Sequence, residues 1–179
     1  MADSIFEPEI SRSLRHLCDT ITVPYSLAIE CKKVSGTSFS LSRINNDQLE
    51  ALLYFQDKSY YQKMLVSASV GGKSRFKLKS GFDFLCCPTG IGYILVNFRA
   101  TKKAAGKEIP KGTNRCFAIT VDQFVNAMSE MVFCEDRQSI PYNWFEKNAL
   151  ELSRVRWEVE KGYEYGWDLT SLFNYTTKR

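Results

Sequence analysis

The sequence predicts one α/β (α+β) domain in which a central mixed β-sheet is flanked by helices. Its 179 residues are the size of an ordinary single domain, and a hydrophobic fraction of 44% is enough to build a core. Short apolar runs rich in β-branched residues alternate with stretches of helical spacing, as in layered α/β folds. No apolar run reaches the roughly 18 to 20 residues that a membrane-spanning helix requires.

The amino-terminal half is predicted to supply the first strands of this sheet. Ile10 and Leu14 recur at helical spacing, whereas 20–23 is β-branched and ends at Pro24, which allows a tight turn into a second extended run. A polar start at Asn46 precedes leucines at helical spacing. The predicted order is helix, strand, strand, helix and strand, over 8–17, 20–23, 25–31, 45–61 and 64–70.

The carboxyl-terminal half is predicted to contain three strands and two helices. Apolar and aromatic residues at helical spacing predict a long helix over 141–161, and the rings that follow are expected to dock, since exposed rings would be a liability. We assign a basic β insertion to about 60–90, and this C-terminal helix plus aromatic tail to 141–179. The strands and the short helix are placed at 82–87, 93–99, 116–121 and 122–131.

The amino terminus and the cysteines favour a reducing compartment. Asp3, Glu7 and Glu9 lie where a secretory signal would carry lysines, so we expect a cytoplasmic protein without a membrane partner. The six cysteines are then expected to be thiols, because such a compartment disfavours disulfides. Their spacing contains no C-x2-C pair, which disfavours structural zinc.

Basic charge is concentrated in the middle of the chain. Residues 73–115 contain 10 Lys or Arg against 2 Asp or Glu, although the whole chain carries only +4. Such a block is typical of polyanion binders, and an extended 73–80 would present its four cations on one face. The alternative is that lysines on an exposed edge merely discourage aggregation. The residues expected to contact phosphates are Lys73, Arg75, Lys77, Lys79, Arg99, Lys102 and Lys103.

The sharpest chemical pattern is Glu30–Cys31–Lys32 at the end of a predicted strand. Residues i and i+2 share a strand face, so Glu30 and Lys32 project together while the Cys31 side chain points to the opposite side. Asp19 can reach the same point if the chain folds back at Pro24. Two carboxylates and the Cys31 backbone carbonyl would form an oxygen-lined site suited to Mg²⁺. Alternatively, Glu30 and Lys32 form a surface ion pair and Asp19 caps a turn.

The segment after Lys32 adds a family resemblance. The chain continues through a Ser/Thr-rich stretch, Thr37 to Leu41, into a helix whose first turn contains Gln48. This order of motifs resembles the core of the RecU-like Holliday junction resolvases, members of the PD-(D/E)xK nuclease superfamily. That core contains an acid, then E-x-K, then T-S-F-x-L, then a glutamine that opens the next helix. The specific part of the resemblance runs from Glu30 to Gln48, and a looser part extends over 9–150.

The resemblance implies a restriction-endonuclease-like core and a Mg²⁺-dependent nuclease in which Mn²⁺ can substitute. Asp19 and Glu30 would bind the ion, Lys32 would be the catalytic lysine, and Gln48 would position water or a phosphate. Glu9 occupies the place of an additional acid in many superfamily members. Alternatively, Gln48 is an ordinary helix-start residue and Glu9 a first-turn acid favoured by the helix dipole.

The implied substrate is branched DNA, cut in a bacterial or viral (phage) setting. Two symmetric nicks in one junction require a homodimer. The family carries a longer N-terminal arm and a projecting stalk, whereas here 18 residues precede Asp19 and about 60–85 looks like an insertion. That insertion either replaces the stalk or indicates another substrate. The alternatives are therefore a superfamily nuclease of restriction or repair type acting on duplex or flapped DNA, and a non-catalytic DNA-binding protein of the same fold.

Overall fold

A computed structural model describes residues 8–14, 27–57, 60–63, 84–87, 90–99, 113–160 and 162–174. A 3-10 turn spans Leu41–Arg43, and a π-helical turn spans Glu130–Cys134. The elements in chain order are α1 (8–14), β1 (Leu27–Val34), β2 (Ser38–Ser40), α2 (Asn46–Asp57), β3 (Tyr60–Lys63), β4 (Phe84–Cys87), β5 (Ile91–Arg99), β6 (Asn114–Thr120), α3 (Val121–Ser129), β7 (Ser139–Pro141), α4 (Tyr142–Asn148), β8 (Leu150–Leu152), β9 (Arg154–Val159), β10 (Gly162–Trp167) and α5 (Thr170–Asn174).

A central mixed sheet of four strands, in the order β1-β5-β6-β8, organises the described residues. Strand β1 runs parallel to β5, with Glu30 opposite Ile94 and Lys32 opposite Val96. The β5–β6 and β6–β8 pairs are antiparallel. The predicted class, a mixed sheet flanked by helices, is confirmed at this level.

The two faces of the sheet bury separate apolar clusters because successive strand residues point to opposite sides. Ile94 and Val96 of β5 belong to the first cluster, in which aromatic side chains meet edge to face. Tyr93 and Leu95 belong to the second cluster, which Trp167 and α5 cover. Residues 91–99 therefore form a strand buried on both faces, which explains why their sequence reads as one continuous apolar run.

Helix α1 packs on the side of the sheet that carries the second cluster, and it closely approaches the backbone of β10 at 166–167. The Ser13 hydroxyl donates to the Glu9 carbonyl and accepts the Trp167 backbone N–H at 2.8 Å. A Cβ at Gly166 would lie 2.4 Å from the Ser13 Oγ and 2.6 Å from the Trp157 ring, so only glycine allows this contact. The carboxyl-terminal ribbon β9–β10 thus holds α1 against the domain.

The predicted long helix over 141–161 is wrong. Helix α4 ends at Asn148, Ala149 is extended, and β8 and β9 follow. In β9, exposed residues alternate with the partly buried Val155, Trp157 and Val159. This period of two is typical of a strand, whereas the prediction was a helix. The aromatic tail is docked only in part: Trp167 and Phe173 are buried, whereas Tyr163 and Tyr165 are 54% and 43% exposed.

The other predicted elements that fall within the described residues agree with the structure to within a few residues at their ends. Helix α2 ends at Asp57 rather than Tyr61, because Tyr60 already belongs to β3. Strand β3 pairs antiparallel with β4, and the two strands lie at either end of the predicted insertion. The predicted strands at 20–23 and 64–70, and the turn at Pro24, lie outside the described residues. None of the helices in the described ranges is long and apolar enough to cross a bilayer.

Candidate active site

Glu30 and Lys32 project from the same face of β1, at an edge of the sheet formed by the described strands. Their register places them on the side of the first cluster, next to Ile94 and Val96. Cys31 packs against the second cluster on the opposite side, as the strand period predicts. The E-x-K pattern therefore puts one carboxylate and one ammonium group together and keeps the thiol away from them.

Gln48 reaches this pair from the first turn of α2. Its Nε2 donates to Glu30 Oε1 at 3.0 Å, and its Oε1 accepts Lys32 Nζ at 3.4 Å. Lys32 Nζ lies 2.7 Å from Glu30 Oε1. The three side chains thus form a closed triangle of polar contacts, although 18 residues separate Glu30 from Gln48.

Helix α2 holds Gln48 in place through a reciprocal cap with Asn45. Asn45 Oδ1 accepts the Gln48 backbone N–H at 2.7 Å, and Gln48 Oε1 accepts the Asn45 backbone N–H at 3.3 Å. This is the geometry of a capping box. Asn45 is not among the predicted site residues, because the polar start of the helix is predicted at Asn46; the N-x-x-Q spacing before an apolar run is the signal that identifies it.

The charged members of the triangle are partly buried. The side chains of Lys32 and Glu30 are 16% and 25% exposed. Glu30 Oε1 accepts from both Lys32 and Gln48, whereas Oε2 has no hydrogen bond to any residue that the structure describes. The two donors therefore converge on one of the two carboxylate oxygens.

The remaining predicted ligands do not join this triangle within the described part of the chain. Asp19 lies outside the described residues, so its distance to Glu30 is undefined. Glu9 lies elsewhere: its carboxylate accepts Arg154 Nη2 and Trp167 Nε1, both at 3.3 Å, on the second-cluster side of the sheet. Arg154 and Trp167 therefore hold the Glu9 carboxylate on the opposite side of the sheet from Glu30, and this acid, which the resemblance placed as an additional one, makes no contact with the triangle.

The expected phosphate contacts fall mainly outside the described ranges. Of these cations only Arg99 is described, at the end of β5. Arg115 is the last residue of the basic block 73–115, and its guanidinium is bound by Glu146, Glu151 and the Tyr142 hydroxyl. Its hydrogen bonds lower the pKa of Glu151, while burial raises the pKa of Tyr142. Arg115 therefore joins β6 to α4 and β8 through its three partners.

No family model matches the chain, and no curated protein is significantly similar to it. Among the described residues, no group of three or more His, Cys, Asp or Glu side chains is arranged to hold a metal ion. Of the three carboxylates expected at the metal, Glu30 belongs to the triangle, Glu9 lies on the other side of the sheet, and Asp19 lies in 15–26, outside the described ranges. The site is therefore defined by the contacts of Glu30, Lys32 and Gln48.

Proposed function

We propose that the chain is a Mg²⁺-dependent, structure-selective endodeoxyribonuclease that resolves Holliday junctions by paired symmetric nicks. The observation that carries this proposal is the contact of Glu30, Lys32 and Gln48 across two elements. These are the described members of the residue set that the nuclease resemblance assigns to catalysis. A triangle of carboxylate, ammonium and amide at a sheet edge suits the chemistry of phosphodiester hydrolysis.

The oxygen ligands that we assign to this position are of the kind that a hard divalent cation prefers. Glu30 Oε2 would hold Mg²⁺, or Mn²⁺ in its place, together with Asp19 and the backbone carbonyl of Cys31. When bound, the ion supplies charge neutralisation for the phosphodiester under attack. Gln48 binds Glu30 Oε1, so Oε2 is the carboxylate oxygen that we assign to the ion.

Lys32 supplies the positive charge that the protein itself brings to the reaction. An ammonium group has three N–H donors, and two of them face Glu30 Oε1 and Gln48 Oε1. The third can bind the attacking water or a phosphate oxygen. Lys32 would thereby orient the nucleophile and stabilise the charge that develops on the phosphate.

Substrate binding is assigned to the basic middle of the chain. Lysine and arginine contacts to phosphates give affinity that does not depend on sequence and that falls with salt. Two nicks related by two-fold symmetry require a homodimer, so we propose that two copies act on one junction. The corresponding setting is the cytoplasm of a bacterium, for an enzyme of bacterial or viral (phage) origin. The phosphate contacts are assigned to Lys73, Arg75, Lys77, Lys79, Arg99, Lys102 and Lys103.

Two alternatives predict different results. Another PD-(D/E)xK nuclease, of restriction or repair type, would cut duplex or flapped DNA as well as a junction or better. A non-catalytic DNA-binding protein of the same fold would cut nothing. In that case the 2.7 Å contact between Glu30 and Lys32 would be an ion pair that serves the fold alone.

The deciding experiment is a Mg²⁺ titration of cleavage on a four-way junction, a flap and a linear duplex of shared sequence. We expect cleavage of the junction and a roughly 10²- to 10³-fold lower rate for Glu30→Gln with DNA affinity preserved, since one charge-stabilising group is lost. Glu50→Gln is the matched control, because Glu50 is exposed on α2. Cleavage by Glu30→Gln at the wild-type rate would exclude this site as the catalytic centre.

A further inference from the structure

We infer that Asn45 is a positioning residue for the catalytic triangle and orients the Gln48 amide toward Glu30 and Lys32. The inference rests on the proposed function, since it assigns Asn45 a role in that reaction. Asn45 itself contacts neither Glu30 nor Lys32 in any hydrogen bond among the described residues. It acts through Gln48, to which it is bound at both the backbone and the side chain.

The Gln48 amide has two possible orientations, and the surrounding groups allow one of them. In the observed orientation Oε1 faces two N–H donors, the Asn45 backbone at 3.3 Å and Lys32 Nζ at 3.4 Å, and Nε2 faces the Glu30 carboxylate at 3.0 Å. A rotation by 180° would place the NH₂ group against both donors and the amide oxygen against the carboxylate. Three favourable contacts would become unfavourable.

Asn45 keeps Gln48 in position by holding the backbone of the first turn of α2. Its Oδ1 accepts the Gln48 backbone N–H at 2.7 Å, so Gln48 Cα cannot shift without loss of the cap. Leu52 and Phe55, further along α2, are buried and hold the rest of the helix whether or not the cap is present. Removal of the cap should therefore loosen the first turn locally and leave the helix folded.

The chain contains a second capping box that serves as a control. At the start of α3, Thr120 Oγ1 accepts the Gln123 backbone N–H at 3.2 Å, and Gln123 Oε1 accepts the Thr120 N–H at 2.9 Å. The two boxes have the same hydrogen bonds, but the glutamine of the second one does not contact Glu30 or Lys32. Loss of either cap should lower stability, whereas only loss of the Asn45 cap should disturb the triangle.

The experiment compares Asn45→Ala, Asn45→Ser and Thr120→Ala in the full chain. We expect Asn45→Ala to lower kcat for junction cleavage roughly tenfold with KM unchanged, because a small misplacement of a catalytic group is costly. Asn45→Ser restores an N-cap acceptor and should restore kcat. Thr120→Ala should lower the unfolding midpoint to a similar degree without the loss in kcat. Equal losses of kcat in Asn45→Ala and Thr120→Ala would overturn the inference.

A double-mutant cycle separates positioning from general destabilisation. In a Gln48→Ala background, Asn45→Ala should have no further effect on kcat, since the group that it positions is gone. A full additional tenfold loss would show that Asn45 acts independently of Gln48 and would overturn the inference.

A readout without catalysis distinguishes failure of this inference from failure of the proposed function. The Gln48 side-chain NH₂ signals in a ¹⁵N-labelled sample should shift and exchange faster with water in Asn45→Ala, but not in Thr120→Ala. If the wild-type protein cuts no DNA and these signals still respond, the nuclease proposal fails and Asn45 orients Gln48 for another purpose. If the signals do not respond, the inference about Asn45 fails whatever the activity.

Discussion

Lys32 Nζ lies 2.7 Å from Glu30 Oε1, and the same oxygen accepts Gln48 Nε2 at 3.0 Å. The protein thus directs two donors onto one oxygen of a carboxylate that is only 25% exposed. Hydrogen bonds that involve charged groups are stronger than neutral ones, so this arrangement fixes the carboxylate orientation. The contact between Glu30 and Lys32 therefore defines which carboxylate oxygen binds the donors of the protein.

Lys32→Met should separate catalysis from metal binding. We expect junction cleavage to fall roughly 10²- to 10⁴-fold, the range for loss of a group that handles a proton or developing charge. Mg²⁺ affinity, measured by calorimetry without DNA, should stay the same or rise, because the ammonium group next to Glu30 repels a cation. Lys33→Met is the control, since Lys33 is the next residue of β1 and points to the other face. Undiminished cleavage by Lys32→Met would contradict its assigned role.

Cys31→Ser should leave both metal affinity and cleavage unchanged. The Cys31 side chain packs against the second cluster, on the side of β1 away from Glu30. Only its backbone carbonyl is assigned to the metal, and serine retains that group. Cys116 is completely buried in the same cluster, so Cys116→Ser should cost more stability, about 1–3 kcal/mol for an added hydroxyl. Loss of Mg²⁺ affinity in Cys31→Ser would contradict the strand geometry.

Arg115→Met should destabilise the protein at neutral pH by about 1 kcal/mol, after allowance for the 33% and 45% exposure of Arg115 and Glu151. The hydrogen bond from Arg115 lowers the pKa of Glu151. A carboxylate with a lowered folded-state pKa adds stability that is present above its unfolded-state pKa and is lost as pH falls through the folded-state pKa. The difference between wild type and variant should therefore shrink below about pH 4.

Urea unfolding at pH 7 and near pH 3 measures this difference. Arg137→Met is the matched control: Arg137 pairs with Glu135 at 3.1 Å, but the two side chains are 54% and 40% exposed. We expect its effect to be smaller than that of Arg115→Met at pH 7. A destabilisation by Arg115→Met that stays constant down to pH 3 would show that stacking of the guanidinium on Phe117, 5.1 Å from the ring centre, matters more than the ion pair.

Combined replacement of Lys73, Arg75, Lys77 and Lys79 by serine should weaken binding to junction and duplex DNA alike. Each phosphate contact that is lost should reduce the slope of log affinity against log salt by about 0.9. Lys147→Ser removes one charge outside the basic middle of the chain and should leave the slope unchanged. Unaltered affinity and slope in the fourfold variant would indicate that these cations only maintain solubility.

Local periodicity predicted much of the fold correctly and failed where two periods compete. The β5 run was recognisable as a strand because it is short, apolar and bounded by turn residues. Helix α2 was recognisable from its leucine spacing. In 150–159, however, the apolar residues Val155, Trp157 and Val159 are compatible with a strand, because they alternate, and also with a helix, because the segment has enough apolar residues for one face. The segment forms strands because β8 pairs with β6 and β9 pairs with β10. Such pairing depends on residues distant in the sequence.

The sequence by itself determined that Glu30 and Lys32 share a face of β1 and that Cys31 points away, because side-chain direction in a strand depends only on a period of two. Tertiary structure alone decided that Gln48 contacts Glu30, and that Glu9 is held on the other side of the sheet by Arg154 and Trp167. These contacts join residues that are 18, 145 and 158 positions apart. They depend on how helices and strands pack, and no spacing along the chain encodes that packing.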